Sequence, residues 1–563
     1  MPLNNRFLRQ FLLCCLMLAT LPVAAQAPKW QKKARKAQVS LITYDASGQM
    51  LHATAGVFVS TDGVALADYK SFQGAARAVA FDESGREWPV ECIMGANSLY
   101  DVVKVKVAIP KTAALTIAPA AGRKGDKAYV LPYPSNTAGN ATATPLADVS
   151  TFNDDYAYYT LPVRLSEKWN ACPVMNEAGE LIGLLQMPAQ ARDTCCYAVS
   201  AVFADSLRTQ ALSAASSDYQ AIPMKKMLPR EASQAHTFIY LTGARDTALY
   251  RSYIDDYITL FPKESNGYTL KADLLTEQGR YAEAEQTWDD GIHAHAPEDE
   301  LRYARASTLA HVVTGAAGMP ENWNLDRALQ EVEAAQVLHP LPLYQSLKAK
   351  ILYGLRRYAE AAALFTDLNQ TNLRSADNFL YAAQCQQMLG DTAAVLALQD
   401  SAVACFTRPY VEAAAPSLLM RSNTLLSLGR YRDAVRDLND YEHLKANDLN
   451  ANFYYRREQA EMRCRMFQQA LNDIEQAVRL EPREPLFQAE LAAVHYRFNQ
   501  LDEAIAAARA AIALDETFAD AHRILGICLR AQGKEAEGQS ALQQAADLGD
   551  EVAKALLQAN TTP

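Results

Sequence analysis

Two hydrophobic patterns divide this chain. Between residues 38 and 205, apolar residues stand in short runs or alternate with polar ones, and Gly, Pro, Asp and Asn interrupt them every few residues. That is the pattern of β-strands joined by tight turns. Its clearest instance is Val57-Phe58-Val59, the turn Ser60-Thr61-Asp62-Gly63, and the run Val64-Ala65-Leu66-Ala67, which together predict a β-hairpin. After Arg208 the alternation stops. Residues 211–234 are small and polar around Pro223 and read as a linker. From about Ala235 the apolar residues recur at intervals of three and four, which is helical.

The helical part repeats. Small or apolar markers stand at Ala284, Ala328, Ala361, Val395, Ala434, Ala470, Ala504 and Gly538, at intervals of 44, 33, 34, 39, 36, 34 and 34 residues. Each unit reads as two helices. Tyr268, Ala272 and Leu275 form one stripe on a first helix, and Gly279 closes it in a left-handed cap. On the second helix Ala284 allows close approach and Trp288 fills the space left. Pro262, Pro297, Pro340 and Pro482 stop second helices. An insertion from His311 to Asn324, with Gly315, Gly318 and Pro320, accounts for the longest interval. With this period and these markers, residues 235–563 resemble a tetratricopeptide repeat domain of about eight repeats, closed by a capping helix from Glu551 to Gln558.

Residues 1–25 have the form of a secretory signal peptide: Arg6 and Arg9, an apolar run from Phe11, then Val23-Ala24-Ala25. Cys14 and Cys15 would leave with it, and the mature chain is expected in the periplasm or envelope of a bacterium. The formal charge of -10 over 563 residues gives no sign of nucleic-acid binding. Lys29, Lys32, Lys33, Arg35 and Lys36 read as a solvated arm or as a polyanion- or membrane-facing patch. Later stretches lack the roughly 18 unbroken apolar residues of a spanning helix, and phosphate-binding glycine loops are absent. No cofactor is expected. His293 and His295 lack the neighbours of a metal site, so no metal is expected either.

Residues 26–210 carry a second resemblance. Gly56 to Ala67 is similar to the hairpin of trypsin-like serine peptidases of the bacterial periplasmic type, in which the histidine base stands just beyond the return strand. Here that place reads Ala67-Asp68-Tyr69-Lys70. Asp101-Val102-Val103-Lys104-Val105 resembles the strand whose aspartate orients the histidine. Gly125 to Leu131, followed by Pro132-Tyr133-Pro134, is similar to the strand that opens the second barrel. Lys168 to Gly183 lines up with the nucleophile motif, and the serine falls on Asn170. The resemblance implies an all-β double barrel ahead of an all-α solenoid.

It also implies a degenerate site. Acyl transfer needs a nucleophile, a base that accepts and returns its proton, and converging N–H donors. Lys70 and Asn170 replace base and nucleophile, and Lys168, Ala171 and Cys172 replace the glycines of the donor loop. Lys70 and Asp101 are expected to pair and fill the old cleft. Two rescues stand beside this reading: Cys172 as nucleophile, or a Ser166–Lys70 pair. Cys172 is a disulfide candidate with Cys195 or Cys196, against the alternative of three buried thiols. The expected function is an exported, non-catalytic scaffold holding protein or peptide partners, with an active endopeptidase of unusual mechanism as the alternative. Tyr455, Gln459, Met462, Tyr496, Arg523 and Arg530, on first helices of the last three repeats, are the expected binding residues.

Overall fold

The computed structural model describes residues 28–133, 139–153, 155–188, 194–242, 247–312 and 319–559. The signal-peptide reading with Cys14 and Cys15, together with Pro134, Gly315 and Gly318, lies outside them. The chain divides into two compact units, Met1–Pro297 and Glu298–Pro563.

In the first unit, β1 (Gln38–Tyr44), β2 (Met50–Phe58), β3 (Val64–Ala67), β4 (Arg77–Phe81), β5 (Glu87–Asn97) and β6 (Val102–Val107) close into a barrel of order β1-β2-β3-β6-β5-β4. The expected hairpin is β2–β3, with Gly56 opposite Ala67 and Phe58 opposite Ala65. Its turn needs Gly63, whose φ of 95° disfavours any side chain, and where a Cβ would lie 2.4 Å from the Val107 carbonyl oxygen. Leu41, Phe58, Phe72, Ile93 and Val105 fill the interior.

The second sheet has β7 (Lys127–Val130), β8 (Thr142–Pro145), β9 (Asp148–Phe152), β10 (Tyr156–Leu161), β11 (Pro173–Met175), β12 (Leu181–Gln186) and β13 (Cys196–Ser200), in the order β8-β7-β11-β12-β13-β10-β9. Its two edge strands are consecutive in the chain. Only Leu146 and Ala147 separate them, donating to Asp126 and Thr160. One bent ribbon therefore pairs with β7 through its first half and β10 through its second, which curves the sheet into a half-barrel.

Residues 211–234, read from the sequence as a linker, are folded structure. Tyr219, Ile222 and Met224 are buried in the interior cluster of the first barrel. Lys225 to Met227 runs beside β5, where the Ile93 N–H donates to the Lys225 carbonyl and the Met227 N–H to that of Ile93. Small and polar composition signalled exposure, but three apolar residues among the polar ones suffice to dock the segment.

Helices Ala232–Thr242, Thr247–Leu260, Ser265–Glu277 and Tyr281–His293 complete the described part of the first unit. The second unit contains seven helix pairs, from Glu298–Val312 with Leu325–Leu338 to Ala519–Ala531 with Glu535–Asp547, and the closing helix Glu551–Ala559. All eight marker positions are buried. Gly279, Gly390, Gly429 and Gly533 have the left-handed dihedrals expected after first helices, while Arg356, Arg465 and Asn499 take the same conformation without being glycine.

Candidate functional site

The end of β3 delivers Asp68 to Ser71 to the junction of the two barrels. Asp68 is buried, and its carboxylate accepts the Ser71 N–H at 3.0 Å and the Thr54 hydroxyl. That cap closes a single helical turn, Lys70–Phe72, anchored by the buried rings of Tyr69 and Phe72. Lys70 is left pointing outward.

Asp101 reaches the same turn from the segment between β5 and β6. Its Oδ1 accepts the Lys70 N–H at 2.9 Å, and its Oδ2 lies 3.6 Å from Lys70 Nζ. The expected ion pair is present, yet the Lys70 side chain is 75% exposed and does not fill a cleft. In that setting the Coulomb contribution is small, about 0–1 kcal/mol. Burial pushes the Asp101 carboxyl above its ordinary value and Asp68 adds to the effect, while the Lys70 backbone bond opposes it.

On the second barrel the turn Glu167–Trp169 leads into the nucleophile's place. Asn170 Oδ1 accepts the Met187 N–H at 3.3 Å. Three backbone donors of this loop are consumed internally: the N–H of Asn170 goes to Glu167 at 3.0 Å, that of Ala171 to Leu185 at 2.8 Å, and that of Cys172 to Trp169 at 3.0 Å. Donors spent in this way do not converge on an external oxyanion. Ala171 holds a φ of 59°, the left-handed dihedral for which glycine is suited.

The end of β12 ties the two halves together. Met187 binds Asn170 as above. Gln186 donates to the Tyr100 carbonyl and accepts the Tyr158 hydroxyl at 2.8 Å. Around this point the partly buried rings of Tyr100, Phe152, Tyr156 and Tyr158 form an aromatic wall around the buried Phe203, and the Tyr100 and Phe152 rings stack at 4.1 Å. Sequence reasoning missed this wall. Its signal was the alternation that places Tyr156 and Tyr158 on one face of β10 and Tyr159 on the other.

The three cysteine candidates stand as free thiols. Cys172 is hydrogen-bonded across to Leu185, and Leu185 pairs with Ala198, so all of β12 lies between Cys172 and the strand of Cys196. Two strand spacings are roughly 10 Å, beyond the roughly 7 Å that a disulfide spans. Cys172 is fully buried, which pushes its thiol well above the ordinary range and away from the nucleophilic thiolate.

The expected binding residues of the repeats are mostly occupied. Arg523 is held by Asp550 at 2.7 Å and by Asp520, and Arg530 by Glu535 at 2.7 Å. Tyr455 leans on Phe487 with ring centroids 5.5 Å apart, Met462 packs against the core of its repeat, and Gln459 donates to Glu458 at 2.8 Å. Tyr496, 36% exposed, is the most open of the six. Arginines already neutralised by carboxylates are staples first and ligand contacts second.

The tetratricopeptide repeat family matches residues 459–517 and 494–555. No curated protein matches the chain. Among solved structures, the chain is similar to a serine endoprotease from Yersinia pestis, at 16% identity over 31% of this chain and 62% of that one, with a TM-score of 0.27. It is also similar to the HtrA-type protease AlgW with a tripeptide, at 17% identity over 31% of this chain and 59% of that one, with a TM-score of 0.28. The match spans about three fifths of the length of those proteases.

Proposed function

We propose that this chain is an exported, non-catalytic scaffold that holds protein or peptide partners, through its barrels, residues 26–210, and through its helical repeats, residues 235–563. One observation carries the reading: at the nucleophile's place stands Asn170, an amide, and the N–H groups of Asn170, Ala171 and Cys172 are all spent on carbonyls of the protein itself. An amide does not attack an acyl carbon, and an oxyanion would find no free donor among these three. The rescue through Cys172 is opposed by its burial, and that through Lys70 by a side chain lying open to solvent beside a carboxylate. Repeats supply an extended surface that suits chains rather than small molecules.

The test is peptidase activity on the mature protein. Incubation with fluorogenic casein is expected to give a rate equal to that of a heat-denatured control, and a fluorophosphonate probe is expected to leave the barrels unlabelled. Hydrolysis abolished by Asp101→Ala, or a covalent adduct within the first 210 residues, would overturn the scaffold reading in favour of an endopeptidase of unusual mechanism.

A further inference from the structure

Twelve residues before six of the eight buried markers, on the first helix of the pair, the chain places a small residue: Ala272, Ala349, Ala383, Ser422, Ala492 and Gly526. All six are buried. The reason is space. A Cβ on Gly526 would lie 2.7 Å from Leu542 and 2.9 Å from the Gly538 carbonyl oxygen, so the two helices of a pair nearly touch there. The repeat formed by Ala451–Arg463 and Phe467–Leu480 breaks the rule with Glu458. Three residues on, where four of the six bury Leu275, Leu352, Leu425 and Leu529 and the other two carry the part-buried Gln386 and His495, it places a buried carboxyl, Glu461.

Both glutamates are almost completely buried. Glu458 receives a hydrogen bond from its neighbour Gln459 on Oε2, and its Oε1 has no hydrogen-bond partner among the described residues. Glu461 Oε2 has none either. Arg457, the cation paired with Glu461, is bound bidentately to Asp473 at 2.6 and 2.7 Å and to Glu442 at 2.5 Å, and lies 4.0 Å from Glu461. The groups acting on the two glutamates from the packed helices are otherwise acidic. Asp473 on the second helix shares a hydrogen bond with Glu461, and Glu490 of the next repeat acts on Glu458. Glu490 is itself influenced by Asp520 and Arg523. A cavity of about 570 Å³, whose charged and titratable lining includes Glu442, His443, Arg457, Glu461, Asp473 and Arg479, gives water a route to this core.

We propose that the repeat 451–480 is a proton-operated joint in the array, closed while Glu458 and Glu461 carry protons and opened when they lose them. Two carboxyls packed where alanine and leucine stand elsewhere can stay in place only as neutral acids, because ionisation would bury charge beside Asp473 and Glu490. Burial pushes Glu458 up to about 8, and burial with the nearby Asp473 raises Glu461 as well. The unfolded value is near 4.3. A group raised on folding contributes most below its unfolded value and loses that contribution as pH rises through its folded one. The window therefore runs from about pH 4.5 to about 8. Within it the ratio of closed to open repeat falls about tenfold per pH unit for each carboxyl. Opening would displace the helix that carries Tyr455, Gln459 and Met462.

Hydrogen exchange of the full chain, divided by the intrinsic amide rate at each pH, tests this. Protection of residues 451–480 is expected to fall ten- to a hundredfold per unit between pH 5.5 and 8, while residues 376–403, whose equivalent position is Ala383, change several-fold at most. Glu458→Ala restores the small residue of the other repeats and is expected to raise protection of 451–480 at pH 7.5 and to lower its pH slope by one carboxyl. Glu458→Gln, which keeps the size and cannot ionise, is expected to lower the slope equally. Parallel behaviour of the two repeats, or a Glu458→Ala chain that is less protected or unfolded at pH 7.5, would overturn the joint.

Discussion

Ala171 shows how a single residue is held in a conformation that its side chain disfavours. The loop still turns through left-handed backbone at the place of a family glycine, but with a methyl group that the dihedral disfavours. Rigid packing keeps it there: Ala171 and Cys172 are buried, and their N–H groups are bonded inward. Ala171→Gly is therefore expected to stabilise the protein by about 0.5–1 kcal/mol, read as a rise in the midpoint of urea unfolding. Lys70 teaches the complementary lesson. Its identity and its pairing with Asp101 were legible in the sequence, but not its exposure, which follows from Tyr69 and Phe72 taking the buried places of the same turn.

At the scale of elements, the helix pairs are held by a device that composition hides. Arg421 pairs bidentately with Asp437 at 2.7 Å and with Asp400 at 3.0 Å, and Arg457, 36 residues on, repeats the arrangement with Asp473 and Glu442. Each arginine thus joins a first helix to its own second helix and to the preceding one. The ends of first helices are uniform in backbone but not in sequence. Arg465 has a φ of 61° where Gly429 has 72°. Arg465→Gly is expected to add about 1 kcal/mol and Gly429→Ala to remove about 1 kcal/mol. Opposite shifts of the thermal midpoint check the pair, and equal shifts would mean that the left-handed ends carry no strain.

For the whole molecule, the docking of residues 211–228 against the first barrel matters most, because it makes these residues part of the barrel's core. Ile222 is fully buried among barrel residues. Ile222→Ala is expected to cost about 2–4 kcal/mol, as no substitution in a solvated linker would, and to open the 211–234 segment to limited proteolysis that spares it in the parent chain. Should proteases cut there in the folded parent chain, the segment is a linker after all.

The sequence alone settled the two architectures, the hairpin at Gly63, the eight buried markers and the identities at Lys70, Asp101 and Asn170. Each of these is written in local periodicity, turn chemistry or a short motif, and local rules act over a few neighbours. Only the tertiary structure decided that Cys172 is a whole strand away from Cys196, that the N–H groups of Asn170, Ala171 and Cys172 point inward, that Arg523 and Arg530 are already paired, and that Glu458 lies where two helices nearly touch. Those facts depend on which distant segments meet, and a side chain's charge, reach and protonation are set by the company it keeps in space.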